Sequence, residues 1–144
     1  MATMKQDVTI REAVLADHFL GIVELYRAHG WTHAKDPTRL RRAIECSSFS
    51  VVALYDDEVI GFARAMSDEA FAVYIADILV SPDRQRQGIG RRLTQEILRH
   101  YPLDTFHHQV LVAERGAEGF YRKLGLAPVS TFGLTAFIRS RSDV

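Results

Sequence analysis

The segment from Ser81 to Arg92 holds residue types suited to binding an anion, since it places two glycines and four arginines within twelve residues. Glycine lets a backbone approach its ligand closely, and the free N–H groups at a helix N-terminus attract phosphate. Apolar residues begin to follow helical spacing directly after Gly88. The segment therefore predicts a cradle for a diphosphate, with a tight turn carrying solvated arginines as the alternative.

Two common phosphate-binding motifs do not fit this segment. The dinucleotide-binding fingerprint requires a third glycine where Leu93 stands, and the P-loop requires Gly-Lys followed by Ser or Thr, which occurs nowhere in the chain. Dinucleotide and nucleoside triphosphate sites are therefore not expected.

Asp77 is the second candidate for chemistry, because it interrupts the apolar run from Phe71 to Val80. Aspartate is depleted in strands, and a carboxylate among apolar residues costs free energy unless it has a partner or a task. Three interpretations stay open at this point. Asp77 takes a proton from a substrate, anchors a substrate cation, or is satisfied by arginine or backbone donors.

The elements that must position these residues belong to an ordinary globular chain. Its 144 residues are 47% hydrophobic and 25% charged, which predicts one domain over residues 1–144. Eighteen basic and eighteen acidic residues give no net charge, so neither nucleic acid nor an anionic membrane is expected as a partner. The single Cys46 excludes an internal disulfide. The apolar runs are too short to span a bilayer, and the first ten residues lack a signal-peptide core, so a cytoplasmic location is expected.

The first half of the chain alternates between strand and helix periodicity. The predicted elements, in order, are a strand at 8–11, a helix containing Phe19 to Tyr26 that stops at Gly30, a helix capped by Asp36-Pro37 with outward arginines, and strands at 48–55 and 58–65 joined by Asp56-Asp57. The two-residue spacing between the last two strands predicts an antiparallel hairpin.

The second half contains the most apolar strand, Phe71 to Val80, which is expected to lie centrally and to be covered on both faces. Beyond it the pattern predicts a helix from Gly88 to Tyr101, a strand from Thr105 to Ala113, a short helix ending at Gly125, and a closing hairpin of 127–130 with 134–138. The sheet is therefore expected to be mixed.

Two motifs carry a resemblance to a known family. Gln85-Arg86-Gln87-Gly88-Ile89-Gly90 is similar to the Gln/Arg-x-x-Gly-x-Gly/Ala signature of the GNAT superfamily of acyl-CoA-dependent N-acyltransferases. The segment from Ala117 to Leu126 is similar to that family's aromatic-Tyr-x-x-x-Gly-Phe ending. The resemblance extends over nearly the whole chain. It implies an α/β (α+β) fold with a mixed, mostly antiparallel central sheet flanked by about four helices.

The resemblance also implies which residues bind acetyl-CoA. Backbone groups of Leu79 and Val80 would hydrogen-bond the pantetheine arm, and Phe120 would pack beside the cofactor. Tyr121 would protonate the departing thiolate, with a purely structural aromatic residue as the alternative. The amides that would hold the diphosphate are those of Gln85, Arg86, Gln87, Gly88, Ile89, Gly90 and Arg91.

On the acceptor side the resemblance implies a primary amine of a small molecule or peptide, acetylated directly. Asp77 is the candidate base, and Tyr26 and Trp31 are expected to offer an aromatic surface to the amine. The chain departs from the family at Ala76, where some members carry a glutamate beside a matching aspartate, and at Tyr74, where many histone-type members carry one. Another departure is Glu114, which stands where the family often has Asn.

The missing strand carboxylates keep a second interpretation open. The chain would then be a catalytically reduced CoA-binding sensor or interaction module. No metal site is expected, because adjacent histidines such as His107 and His108 point to opposite faces of a strand. The oligomeric state is left open between a monomer and a homodimer, since dimers are frequent among similar proteins.

Overall fold

The protein is described here by a computed structural model that covers residues 7–141. Its residues fall into two compact units, one reaching Val112 and the other starting at Ala113. The predicted single domain of residues 1–144 stays a prediction. No helix in the described part of the chain combines the length and the hydropathy that crossing a membrane requires.

The first unit contains five strands and three α-helices. In chain order they are β1 (Thr9–Glu12), α1 (Leu15–Ala28), α2 (Pro37–Glu45), β2 (Phe49–Tyr55), β3 (Glu58–Ser67), β4 (Ala72–Val80), α3 (Ile89–His100) and β5 (His108–Leu111). The predicted cap of α2 is confirmed, since the Asp36 side chain accepts from the Arg39 amide at 3.1 Å and Pro37 opens the helix.

The strands form one sheet in the order β1-β2-β3-β4-β5. Neighbouring strands are antiparallel except for β4 and β5, which are parallel. The predicted mixed, mostly antiparallel sheet is therefore confirmed. The predicted hairpin is also present, and Asp56 and Asp57 supply its turn with φ angles of 50° and 62°. Two consecutive positive φ angles are what a type I′ turn requires.

Apolar clusters cover both faces of the sheet. One cluster packs α3 on the sheet through residues such as Leu93, Ile97 and Tyr101. The other packs α1 and α2 on the opposite face through residues such as Ile22 and Leu40. Coverage of β4 is less complete than predicted, because Tyr74 on this strand is 40% exposed.

A β-bulge divides β4. Phe62 pairs with Leu79 and Arg64 with Ala76, so three steps along β4 oppose two steps along β3. Asp77 lies in this bulge with a φ of 58°, a left-handed conformation that Asp and Asn tolerate better than most residues. The prediction of an uninterrupted strand did not contain this feature.

The second unit contains α4 (Glu118–Lys123) followed by a 3₁₀ turn at Val129–Phe132. The short helix ending near Gly125 is confirmed, since Gly125 follows it with a φ of 90°. The predicted closing hairpin is wrong, because neither of its segments forms a strand in the described residues. Side chains such as Phe137 and Ile138 lie exposed there. The predicted strand at 105–113 is shortened to β5, because residues 102–107 turn before it.

Candidate functional site

The strand β4 has an open edge over its second half. Its parallel pairing with β5 covers Ala72 to Ile75 and does not extend further along the described strand. The bulge at Asp77 follows directly, so the residues beyond it continue beside β3 without a strand on the β5 side. Exposed main-chain groups on a strand edge are able to pair with an extended chain.

Val80 presents its main chain on this open edge. The Ser81 amide donates to the Ile60 carbonyl at 2.8 Å, and main-chain groups alternate sides along a strand. Leu79 is therefore directed toward its β3 partner Phe62, whereas Val80 is directed away from β3. Side-chain donors reach the Val80 carbonyl from His29 at 2.7 Å and from Gln85 at 3.4 Å. Of the two strand residues predicted to hold a ligand, Val80 has the accessible main chain.

The turn between β4 and α3 is shaped for an anion. Arg86 and Gly88 both have positive φ angles, 62° and 78°, and a left-handed residue next to a helix start turns successive amides toward one side. Arg92 is the first residue of α3 whose amide bonds back, to the Gly88 carbonyl at 3.1 Å. The amides of Ile89, Gly90 and Arg91 precede it and have no helical partner, so they are available to an anion.

The four arginines of this segment divide into two pairs. Arg84 lies over the Tyr55 ring at 4.0 Å, and Arg92 donates to the Val8 carbonyl at 2.9 Å, so both are held by the fold. Arg86 and Arg91 are exposed and form no ion pair with any described residue. Two positive charges therefore remain available beside the free amides.

Asp77 is held by two donors on a single oxygen. Arg64 Nε and the Tyr26 hydroxyl donate to its Oδ2 at 2.7 Å and 2.8 Å. The Arg64 and Asp77 side chains are each 13% exposed, so the ion pair is largely buried. Oδ1 has no hydrogen-bond partner among the described residues. Burial raises the pKa of Tyr26, and the charge of Asp77 raises it further, so this hydroxyl stays a donor.

Tyr26 and Trp31 form part of one aromatic cluster. Their rings meet edge to face with centroids 5.8 Å apart, and the His33 ring lies 5.1 Å from Tyr26. Tyr26 is fully buried, while Trp31 is half-buried and His33 is exposed. The structure thus brings Asp77 and both predicted aromatic residues into one cluster, in which Trp31 and His33 form the side accessible to solvent.

The second unit holds the predicted pair Phe120 and Tyr121. Both lie on α4, with ring centroids 5.0 Å apart. Burial raises the pKa of the Tyr121 hydroxyl, and the charge of Glu114 adds to the rise. Tyr121 is therefore protonated at neutral pH, which is the form that donates a proton.

Sequence reasoning missed two residues that contact the predicted site. One is Arg64, for which the sequence does hold a signal: it alternates with apolar neighbours in β3, and Asp77 needs a partner. His29 had no signal, because its contact with Val80 joins residues 51 positions apart. No group of three or more His, Cys, Asp or Glu side chains suited to a metal ion occurs within residues 7–141.

The chain is similar in sequence and in fold to known proteins. The model of the acetyltransferase (GNAT) family matches residues 14–126. A solved structure of a GNAT-family acetyltransferase from Streptococcus pneumoniae superposes with a TM-score of 0.81 at 30% identity, covering 94% of this chain and 99% of that one. Glucosamine-6-phosphate N-acetyltransferase from Arabidopsis thaliana shares the fold with a TM-score of 0.71 at 15% identity, covering 94% of this chain and 97% of that one.

Curated relatives are similar over part of their length. Serotonin N-acetyltransferase 2, chloroplastic, from Oryza sativa is 36% identical over 114 residues, which cover 74% of this chain and 56% of the relative. An uncharacterized N-acetyltransferase from Gracilaria tenuistipitata is 31% identical over 100 residues, covering 67% of this chain and 54% of the relative. The chain thus spans about half the length of these curated relatives.

Proposed function

Because this chain belongs to the acetyltransferase (GNAT) family, we propose that it transfers an acetyl group from acetyl-CoA directly to a primary amine of a small molecule or peptide. The observation that carries the proposal is the open edge of β4, which leads directly into free amides at the start of α3. An extended arm containing amides fits the first feature, and a diphosphate fits the second.

The residues present fit acetyl-CoA as a substrate. Val80 would offer main-chain groups to the pantetheine arm, and the amides of Ile89, Gly90 and Arg91 are free to bind a diphosphate. Arg86 and Arg91 supply positive charge without losing an ion pair within the described residues. No side chain at Gly88 fills the cradle, and a Cβ built there meets no atom within 4 Å.

The reaction requires a neutral amine, whose nitrogen forms the new C–N bond as the C–S bond of the thioester breaks. The proton lost by the amine goes to a base, and the thiolate takes a proton from Tyr121, which stays protonated at neutral pH. Asp77 is the candidate base through its unbonded Oδ1. Arg64 already forms an ion pair with this carboxylate through Oδ2, so anchoring of a second cation, the substrate ammonium, is the other role that we test.

The acceptor is proposed to enter beside the aromatic cluster. Trp31 exposes part of its ring next to Tyr26, which bonds Asp77, so the cluster combines an aromatic surface with a carboxylate. Such a combination suits an amine. The name of the rice relative gives serotonin as the amine of that protein, and serotonin therefore belongs in the acceptor panel.

The test is release of free CoA from acetyl-CoA in the presence of a panel of amines, with the acetylated product identified by mass spectrometry. Serotonin, a polyamine, an aminosugar phosphate and a peptide with a free N-terminus sample the main acceptor classes. Amine-dependent CoA release with one acetyl group added to the amine is the expected result.

A CoA-binding module without catalysis is the second candidate. It is favoured by Tyr74 and Ala76, which stand where some members of the family carry a strand carboxylate, and by the Arg64 partner of Asp77. Tight binding of acetyl-CoA without amine-dependent turnover across the panel would support this candidate over the enzyme.

A further inference from the structure

His29 holds the open edge of β4 at the place where the acyl donor is proposed to bind. Its Nε2 lies 2.7 Å from the Val80 carbonyl oxygen, so the short contact joins the end of α1 to the last residue of β4. A carbonyl oxygen is only an acceptor, and therefore Nε2 carries the hydrogen. The imidazole fills the position that a donor on a neighbouring strand would otherwise take.

A second contact shows that α1 covers this part of the strand. One helical turn before His29, the Tyr26 hydroxyl bonds Asp77 at 2.8 Å. Residues three apart lie on the same helix face, so one face of the last turn of α1 contacts the open half of β4 twice. The contact of Tyr26 with Asp77 joins two buried or largely buried side chains, whereas His29 is only half-buried and is able to rotate into solvent.

The Val80 carbonyl has a second donor nearby. The side-chain amide nitrogen of Gln85, Nε2, lies 3.4 Å from this oxygen, a distance at the outer limit of a hydrogen bond. An amide N–H of an extended ligand that pairs with this edge would need the same oxygen. His29, with the shorter contact, is therefore the competitor that such a ligand must displace.

We propose that His29 competes with the acyl donor for the Val80 carbonyl and so sets the affinity for acetyl-CoA. This inference rests on the proposed function. In the free protein the imidazole stabilises the end of β4, and it leaves when the pantetheine arm pairs with Val80. His29 is thus a positioning residue, and its effect lies on donor binding and not on bond making.

The inference predicts that His29→Ala destabilises the free protein and leaves the complex with acetyl-CoA unchanged. The free variant loses one hydrogen bond, worth ~0.5–1.5 kcal/mol, and should melt at a lower temperature. Its complex loses nothing, because the bond is already broken there. Acetyl-CoA should therefore bind the variant about two- to tenfold more tightly, the fold-change that corresponds to that bond.

The experiment measures the acetyl-CoA dissociation constant by calorimetry and the melting temperature with and without acetyl-CoA. His29→Gln places an amide donor at a similar reach and should keep the affinity of the wild type within about twofold. His107→Ala is the matched control, because the ring of this exposed histidine lies against Phe71, at the end of β4 opposite Val80. It should leave the affinity unchanged.

The outcomes separate the inference from the proposed function. If the wild type fails to bind acetyl-CoA, the proposed function fails. If the wild type binds and His29→Ala binds equally or more weakly, His29 stays on the carbonyl or supports the donor, and the competition is refuted. Tighter binding by His29→Ala, wild-type binding by His29→Gln and a lower melting temperature of the free alanine variant together support it.

Discussion

Replacing Asp77 by Asn removes one charge from the largely buried pair while changing little else. Asn is nearly isosteric with Asp and also tolerates the left-handed backbone that the bulge imposes, so no strain is added at the φ of 58°. The Asn oxygen still accepts the Tyr26 hydroxyl. What the variant loses is the opposite charge for Arg64, whose side chain is only 13% exposed.

The expected loss follows from this burial. Removing one partner of a buried pair costs about 3–5 kcal/mol, because the other charge is left uncompensated. Partial exposure and the remaining acceptor reduce this loss, and we expect ~2–3 kcal/mol. For a chain of this size such a loss corresponds to a melting temperature lower by about 5–10 °C. Thermal and urea unfolding followed by circular dichroism measure it.

A second substitution tests the cause of the loss. Arg64→Met removes the guanidinium that Asp77→Asn leaves without an opposite charge, and it keeps an apolar side chain. The free energy of unfolding of the double variant Asp77→Asn/Arg64→Met should therefore lie within about 1 kcal/mol of the wild-type value. Tyr26→Phe is the control, since it removes the other donor to Oδ2 and leaves the charge pair, with an expected loss of ~1 kcal/mol. If the effects of the two charge substitutions simply add, or if Asp77→Asn melts within about 1 °C of the wild type, the reasoning is refuted.

Three further predictions concern the reaction. Gly88→Glu should weaken acetyl-CoA binding severely by bringing a negative charge to the amides of α3; Gly88→Ala, which carries the same left-handed strain at a φ of 78° without the charge, should weaken it far less, as calorimetry will show. Tyr121→Phe should lower kcat by about 10²–10⁴-fold with unchanged acetyl-CoA affinity, and equal turnover would exclude Tyr121 as the acid. Because the pKa of Tyr121 is raised above its ordinary value, the wild type should keep this donor protonated as the pH rises from 7 to ~10. Asp77→Asn should lose kcat at neutral pH and regain part of it at higher pH if Asp77 is the base, whereas a higher amine KM at constant kcat would identify it as an anchor.

Local signals predicted most of the first unit. The cap at Asp36, the two-residue turn at Asp56-Asp57 and the helical spacing after Gly88 each depend on residues within a few positions of one another. The turn from Arg86 to Gly88, which is proposed to bind an anion, is predictable from the sequence for the same reason. These features are set by local backbone preferences, which a sequence displays directly.

Features that join distant segments were not predicted. The bulge at Asp77 depends on the register of β3 against β4, and the contact of His29 with Val80 depends on where α1 docks. The closing hairpin was predicted from alternating apolar residues alone, but a strand also needs a partner edge, which the described residues 134–138 do not have. Each of these outcomes depends on contacts between distant segments, which the local pattern does not display.

The bulge at Asp77 reverses the parity of β4. Before it, the odd-numbered Val73 and Ile75 pack with α3; after it, the even-numbered Ile78 and Val80 do so, and Leu79 packs with α1 and α2. Because of this one extra residue, odd-numbered side chains of β4 face α3 before the bulge and even-numbered side chains face it after the bulge. Deleting one residue between 76 and 78 would therefore move the side chains of Leu79 and Val80 to the opposite faces of the sheet, although neither residue is itself substituted. When this chain is aligned with a relative that lacks the extra residue, the residues after the bulge must be matched by the sheet face they occupy and not by their number along the strand.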